Sequence, residues 1–149
     1  MAETNDWNAN TIAEFRANEG RVGGVFEGAP ITLVHHRGAK SGRDYVSPLM
    51  YLADDVDIAT IYVFASKAGA STHPDWYYNL KFAGLARVEV GTDTYHVTVS
   101  ELAGEERDRA YEKQARRYPG FAQYAKKTTG IRTIPVLALR RAEGVSRKS

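Results

Sequence analysis

Two segments of the chain combine residue types that suit a flat, anionic ligand. The first runs from Arg37 to Arg43 and alternates glycines with cations. Glycines let a backbone turn tightly and point its N–H groups into one concavity. With Lys40 and Arg43 beside it, such a turn is an anion site for phosphate or carboxylate. A hairpin turn that carries charge for solubility explains the same pattern equally well.

The second segment, Ala65 to Leu80, joins an apolar run to a predicted helix through small residues. Small residues allow a flat ring to lie close to the backbone, while Lys67 and the helix N-terminus add positive potential. The alternative is an ordinary strand–loop–helix connection. For Trp76 and Leu80 taken singly, a place in the core is favoured.

A third group consists of Tyr118 and Tyr124, which bracket a helix break at Pro119. Aromatic rings with a hydroxyl suit a pocket wall that also supplies hydrogen bonds. They are equally common as packing elements at helix junctions.

Other polar residues give no support for a metal site. His35 and His36 are adjacent on a predicted strand, so they point to opposite faces and cannot both bind one metal. The acidic residues at 54, 55 and 57 lack the spacing of a calcium loop and are predicted to be solvated.

Composition excludes several classes of function. The chain has no cysteine, which rules out disulfides, thiolate metal sites and cysteine nucleophiles. A net charge of +2 is too small to indicate nucleic acid binding. The N-terminus does not resemble a signal peptide and no apolar run is long enough to span a membrane, so a cytoplasmic location is expected. Further basic residues are expected to be solvated surface: Lys113, Arg116, Arg117, Lys126, Lys127, Arg132 and the tail.

The patterning predicts a single domain over residues 1–149, with an N-terminal helix and glycine loop over 1–28 and a basic tail over 142–149. The predicted strands are Ile31 to His36, Tyr45 to Leu52, Ile58 to Ala65, Ala86 to Val90, Tyr95 to Leu102 and Ile134 to Leu139. Pro48 marks a bulge or an edge. The predicted helices are Asn10 to Asn18 capped by Asn10 or Thr11, one beginning at a Thr72/Asp75 capping box and ending near Phe82, Glu105 to Tyr118, and Phe121 to Lys126.

These elements favour an α+β, mainly β fold. About six strands, mostly joined as hairpins, indicate an antiparallel barrel with peripheral helices rather than a doubly wound sheet. No G-x-G-x-x-G follows a strand, so a nicotinamide site has no support.

Taken together, the motifs resemble those of the deazaflavin (coenzyme F420)-dependent nitroreductase family of actinobacteria. The matching pieces are the stretch from Asn8 to Gly28, G-x-K-S-G-R-x-x-x-x-P-L at Gly38 to Leu49, A-S-x-x-G-A-x-x-H-P-x-W-Y-x-N-L at Ala65 to Leu80, Y-P-G-F-x-x-Y at Tyr118 to Tyr124, and R-x-I-P-V at Arg132 to Val136. They follow the order of the family and cover most of the chain.

The resemblance implies an antiparallel split β-barrel related to the FMN-binding barrels, and it implies roles for named residues. Those implied to meet the phosphate and oligoglutamate tail of the coenzyme are Lys40, Ser41 and Arg43. Those implied to line the ring site are Pro48, Leu49 and Met50 on one side, and Ala65, Ser66, Lys67, Trp76 and Tyr77 on the other. Those implied to face the substrate are Ser66, Tyr118 and Tyr124.

The implied activity is an F420H2-dependent reductase that passes a hydride to a quinone, an enone or a nitroaromatic. The sequence departs from the family at Tyr45, where an arginine is frequent, at Met50, where an aromatic is frequent, and at Phe121, where nitroimidazole-reducing members carry tyrosine. Reduction of nitroimidazoles is therefore not inherited from the resemblance. The alternatives are an FMN-dependent oxidoreductase on the same barrel and a non-catalytic deazaflavin-binding protein. Weak attachment of the Asn8 to Arg21 helix to a membrane surface is a further hypothesis.

Overall fold

The computed structural model describes residues 6–23 and 29–142 as a barrel with helices around it. The strands are β1 (Ile31–Arg37), β2 (Asp44–Ala53), β3 (Thr60–Phe64), β4 (Leu85–Val90), β5 (Asp93–Glu101) and β6 (Val136–Arg141). The helices are α1 (Asp6–Ala17), α2 (Asp75–Ala83), α3 (Gly104–Arg117) and α4 (Gly120–Thr128), and a 3₁₀ turn spans Lys67–Gly69.

The six strands close into an antiparallel barrel in the order β1-β2-β3-β6-β5-β4, as predicted. Strand β2 pairs with β1 along the whole of β1, but it pairs with β3 only over Tyr51 to Ala53. The first part of β2 is therefore an edge. Pro48 lies in this part, opposite Leu33 in an unbroken register, so it marks an edge and not a bulge. A proline is tolerated here because no second ladder needs its missing N–H.

Three apolar clusters hold the barrel and its helices together. The first fills the barrel and receives Leu80 from α2: Val34, Ile61, Val63, Leu80, Ala86, Val88, Val97, Leu137 and Leu139. The second lies beneath α3 and α4: Leu52, Phe64, Ala110, Tyr111, Phe121, Ile134 and Val136. The third lies beneath α1: Phe15, Val22, Ile31 and Leu33. Inward and outward residues alternate along each strand, so the same strands contribute to the barrel interior and to the helix-covered faces.

Some predicted boundaries were wrong. Helix α1 begins at Asp6, so neither Asn10 nor Thr11 is its cap. Strand β3 begins at Thr60 and not at Ile58, which is 98% exposed. The carboxylate of Asp57 accepts the N–H of Ala59 and the hydroxyl of Thr60, so the chain is still turning where apolar residues suggested a strand.

The predicted capping box of α2 does not form. Pro74, in an extended conformation, is the N-cap and no side chain caps the helix. The hydroxyl of Thr72 instead accepts a hydrogen bond from the ammonium of Lys67 at 3.1 Å. The predicted β4–β5 hairpin is confirmed, with Gly91 and Thr92 as a tight two-residue connection.

The predicted basic tail from residue 143 onward and the glycines at 24 and 28 lie outside the described residues. None of the helices within 6–23 and 29–142 is long and apolar enough to cross a membrane.

Candidate functional site

The basic turn between β1 and β2 is closed by its own hydrogen bonds. The N–H of Gly38 donates to the carbonyl of Arg43 at 2.7 Å, and the N–H of Arg43 donates to the hydroxyl of Ser41 at 3.1 Å. A Cβ on Gly38 would lie 2.5 Å from that hydroxyl oxygen, so a larger residue there would displace the Ser41 hydroxyl. Lys40 and Arg43 are exposed. The turn therefore presents two cations to solvent from a fixed backbone.

A chain of hydrogen bonds anchors this turn to the body of the protein. The N–H of Ala39 donates to Oδ1 of Asn79 at 2.9 Å, which fixes the orientation of that amide. Nδ2 of Asn79 then donates to Nδ1 of His36 at 3.0 Å. Nε2 of His36 therefore carries the proton and donates to the hydroxyl of Ser47 at 2.9 Å. Burial, with a smaller effect of the neighbouring His35, lowers the pKa of His36 to about 4, so the ring is neutral.

The loop after β3 has a strained backbone. Lys67 and Ala68 both have left-handed backbones, with φ of 48° and 53°. Gly69, with φ of 83°, packs against α4, because a Cβ there would lie 3.0 Å from Cδ of Lys127 and 3.4 Å from Cα of Tyr124. The loop is thus pressed between β3 and α4. The small residues that suggested a ring site are needed, at least at Gly69, to let α4 approach.

Arg132, which follows α4 in the chain, binds the backbone carbonyls of this loop. Its guanidinium donates to the carbonyls of Ala70 at 3.0 Å, Ala65 at 3.1 Å and Ser66 at 2.9 Å. It also donates to Nδ1 of His73 at 2.8 Å. Burial, and to a smaller extent the charge of Arg132, lowers the pKa of His73. The prediction that Arg132 is solvated surface was wrong, because the guanidinium is half-buried and satisfies inward-facing carbonyls.

Two tyrosines lie at the α3–α4 junction, and Tyr124 is close to the loop after β3. Tyr118 ends α3 and Tyr124 lies in the second turn of α4, and both pack against the second apolar cluster. The hydroxyl of Tyr124 lies 3.9 Å from the position of a Cβ on Gly120, so it turns back toward the start of α4. Helix α4 therefore brings Tyr124 against the loop that carries Ser66. Phe121, by contrast, is buried in the cluster, with its ring centroid 5.7 Å from that of Phe64.

The predicted ring-site residues of β2 do not share one face. Leu49 packs against the barrel interior, whereas Met50 packs against the second and third clusters outside it. This follows from the alternation of side chains along a strand. Pro48 is buried.

The predicted ring-site residues of α2 are both partly buried. Trp76 packs against the first cluster, as the core interpretation expected. Tyr77 donates its hydroxyl to Glu101 at 2.9 Å, and its ring centroid lies 4.8 Å from that of His73. Burial and the bond to Glu101 raise the pKa of Tyr77 to about 12, so its hydroxyl stays protonated.

A groove of about 370 Å³ lies elsewhere, between α3 and the β2–β3 connection. Its polar side chains are largely paired with each other, Tyr62 with Asp54 and Lys113 with Asp55. It shares no residue with the basic turn or with the loop after β3. We therefore assign it no part in the site.

Comparison with known proteins places the chain in a family. The sequence profile of the F420H2-dependent quinone reductases matches residues 7–141. The chain belongs to this family. Its members are oxidoreductases that use coenzyme F420, and the resemblance inferred from the motifs is confirmed. An F420H2-dependent quinone reductase of Mycobacterium tuberculosis (strain ATCC 25618 / H37Rv) is 32% identical over 136 residues, which covers 87% of this chain and 86% of the relative.

Solved structures agree with this assignment. An F420-H2 dependent reductase, FDR-A, is 36% identical, with a TM-score of 0.65 over 74% of this chain and 94% of its own. A second protein, solved as a domain-swapped dimer, is 33% identical, with a TM-score of 0.67 over 89% of this chain and 93% of its own. The likeness to FDR-A confirms the predicted split-barrel fold.

Sequence reasoning missed three residues that organise the site: Arg132, Asn79 and His36. Arg132 and Asn79 both stand within quoted motif pieces, R-x-I-P-V and W-Y-x-N-L, so a signal was present. Nothing in the spacing showed that these side chains bind backbone groups more than 35 residues away, such as Ala39 and Ser66.

Proposed function

We propose that this chain reduces a quinone with F420H2, using the basic turn for the coenzyme tail and the loop after β3 for its ring. When bound, the reduced deazaflavin supplies a hydride, which with one proton converts a quinone to its quinol. The observation that carries the proposal is the link through α2. This helix begins at Asp75, five residues after the end of the loop that follows β3, and through Asn79 it holds the basic turn. A ligand with an apolar ring and an anionic tail needs both features on one rigid body.

The donor set of the turn fits the tail of the coenzyme. Lys40 and Arg43 are exposed cations beside the hydroxyl of Ser41, and phosphate and carboxylate groups accept charge-assisted hydrogen bonds from such donors. Arg37 lies at the same turn but is paired with Asp44 at 3.2 Å. We therefore assign the tail to Lys40, Ser41 and Arg43.

The ring is assigned to the residues around the unpaired edge of β2 and the loop. On the β2 side the assigned residues are Pro48, Leu49 and Met50, of which Pro48 and Met50 share the outer face while the side chain of Leu49 faces the barrel interior. On the loop side the assigned residues are Ala65, Ser66, Lys67, Trp76 and Tyr77. Their part is to exclude water and orient the ring.

Three hydroxyls are assigned to the substrate side. Within the described part of the chain, the side-chain hydroxyls of Ser66, Tyr118 and Tyr124 have no hydrogen-bond partner. A free hydroxyl can donate to the oxygen on which negative charge develops as a quinone accepts a hydride. We propose that Ser66 and Tyr124 do so, with Tyr118 on the adjoining wall.

Titration of the purified chain with reduced F420 and with reduced FMN, followed by tryptophan fluorescence, tests the cofactor. Oxidation of the bound coenzyme by a naphthoquinone, an enone and a nitroaromatic then tests the reaction. Ser66→Ala and Tyr124→Phe are each expected to lower kcat about 10-fold or more. Tyr78→Phe is the matched control, since Tyr78 is an exposed tyrosine of α2 outside the assigned set.

Three outcomes would contradict the proposal. A higher affinity for reduced FMN than for reduced F420 would contradict the assignment of F420 as the cofactor. Tight binding of F420H2 without turnover of any acceptor would favour the non-catalytic alternative. Unchanged turnover in both Ser66→Ala and Tyr124→Phe would remove the assigned catalytic roles.

Attachment to a membrane surface would bring the enzyme close to lipid-soluble quinones, and it remains a separate proposal. The amphipathic helix α1 suggested this attachment, but its apolar residue Phe15 is only 1% exposed and packs inside the protein. Arg16 on the same helix forms an ion pair with Glu89 at 2.7 Å. Sedimentation with vesicles, with and without residues 1–28, tests it. Equal binding by both forms would exclude α1 as the attachment point.

A further inference from the structure

We infer that Arg132 is a positioning residue of this reductase, which fixes the loop from Ala65 to Ala70 in the conformation that receives the coenzyme ring. The inference rests on the proposed function, since it assumes that Ser66 and Lys67 face the ring. Arg132 itself is not assigned a contact with coenzyme or substrate.

The loop needs an external support because its own hydrogen bonds only close a turn. The N–H of Gly69 donates to the carbonyl of Ser66 at 2.9 Å, and the N–H of Ala70 donates to the carbonyl of Lys67 at 3.0 Å. These bonds enclose Lys67 and Ala68, two successive non-glycine residues in the left-handed region. Such a conformation persists only where the surrounding structure over-determines it.

Arg132 supplies that support at both ends of the turn. It binds the carbonyls of Ala65 and Ser66 where the loop leaves β3, and the carbonyl of Ala70 where the turn ends. A planar guanidinium offers five donors in a rigid fork, so one side chain can hold three carbonyls at fixed spacing. A lysine offers three donors on a flexible stem and cannot reproduce this geometry.

Arg132 is itself held by the end of α4. Its backbone N–H donates to the carbonyl of Thr128 at 3.0 Å, one turn after Tyr124. The fourth guanidinium contact, to Nδ1 of His73, reaches the chain just before α2. Arg132 therefore connects the helix that carries Tyr124 to the loop that carries Ser66, and it sets their relative position.

The test compares Arg132→Met with Arg107→Met. Arg107 is a matched control, because its Nε and Nη2 donate to the carbonyl of Ile134 at 3.1 and 2.8 Å and its guanidinium lies 4.7 Å from the ring centroid of Tyr111. Both variants lose a half-buried arginine, of which Arg107 binds one backbone carbonyl and Arg132 binds three, and only Arg132 contacts the loop. Arg132→Lys is included as a milder change should Arg132→Met fail to fold.

Three quantities are measured on each protein: the rate of tryptic cleavage after Lys67, the affinity for F420, and kcat with a naphthoquinone. For Arg132→Met we expect cleavage about 10-fold faster, F420 binding about 10-fold weaker and kcat lowered about 10-fold to 100-fold, since small displacements of positioned groups are costly to rate. Arg132→Lys is expected to fall between this variant and wild type. Arg107→Met should lower the thermal midpoint yet leave cleavage, affinity and kcat within about twofold of wild type.

A folded Arg132→Met or Arg132→Lys protein with wild-type affinity and kcat would overturn the inference. So would an Arg107→Met protein that loses affinity and kcat to the same extent. Failure of the proposed function looks different, because wild type itself would then not bind F420, while the cleavage rate after Lys67 would still report whether Arg132 fixes the loop.

Discussion

The side-chain amide of Asn79 on α2 donates to Nδ1 of His36 on β1 at 3.0 Å, in a position buried from solvent. Because the same amide accepts the N–H of Ala39, it is held at both ends. Helix α2, which follows the loop after β3 in the chain, is thereby fixed to the strand that leads into the basic turn. If the proposed site is correct, these two hydrogen bonds hold its basic turn in place relative to α2.

Asn79→Ala should weaken coenzyme binding without touching the coenzyme. It leaves the N–H of Ala39, an exposed residue, and the buried Nδ1 of His36 without partners, and loss of the partner at the buried His36 nitrogen costs about 1–3 kcal/mol. We expect a lower free energy of unfolding in urea and an F420 affinity reduced about 5-fold to 10-fold. Asn18→Ala is the control, since Asn18 is an exposed residue whose side-chain amide donates to the carbonyl of Glu14. Unchanged F420 affinity in Asn79→Ala would show that coenzyme binding does not depend on the hydrogen bonds between α2 and the basic turn.

The neutral state of His36 predicts how stability depends on pH. Its pKa falls from 6.5 to about 4 on folding, so the unfolded chain takes up a proton in this range that the folded chain does not. Above pH 6.5, the pKa of His36 in the unfolded chain, both states hold a neutral imidazole and His36 causes no loss of stability. As pH falls from 6.5 to about 4, His36 alone removes stability at up to about 1.4 kcal/mol per pH unit.

Urea unfolding of wild type and His36→Gln across this range measures that contribution. The variant should lose part of the pH slope, and the contribution of His73, whose pKa is also lowered, should remain in both proteins. Identical slopes would mean that His36 is protonated in the folded state or that its pKa is unshifted.

The barrel could be predicted from sequence because alternation and turn residues are local signals. Val34, Val63 and Val88 stand in short β-branched runs bounded by turns, and this is enough to indicate strands. The same reasoning placed β3 two residues early, because an exposed isoleucine at 58 has the composition of a strand but not the conformation.

Only part of the candidate site could be predicted from local sequence patterns. Lys40 and Gly69 were noticed because cations among glycines and small-residue loops are unusual. Arg132 was not, because an arginine near other basic residues looks solvated until the carbonyls it binds are known. His36 and Asn79 are 43 positions apart, and no periodicity connects them.

Gly69→Ala should disturb the packing of α4 on the ring loop. The glycine has φ of 83°, and its added Cβ would lie 3.0 Å from Cδ of Lys127. Gly84→Ala is the matched control, because Gly84 has φ of 72° but, apart from its chain neighbours, no atom of the described residues lies within 4 Å of its Cβ position. In both variants an alanine must adopt a left-handed backbone, which lowers the free energy of unfolding by about 1–2 kcal/mol. Only Gly69→Ala should also lower kcat. Recovery of kcat in Gly69→Ala/Lys127→Ala would assign the loss to this contact, whereas equal kcat in both single variants would refute it.

The basic turn should bind through charge, so its contribution should depend on salt. We expect Arg43→Ala and Lys40→Ala each to weaken F420 binding about 5-fold to 10-fold at low ionic strength, with smaller effects at high salt, because exposed charges are screened there. Arg37→Ala is the control at the same turn, since Arg37 is already paired with Asp44. FMN carries one phosphate and no oligoglutamate, so any affinity for it should change less. Titrations of wild type and the three variants at low and high salt measure these differences. Equal losses of affinity in Arg37→Ala and Arg43→Ala would mean that the coenzyme responds to the net charge of the turn and not to a specific contact with Arg43. A loss of affinity in Arg43→Ala that persists at high salt would indicate a structural role of Arg43.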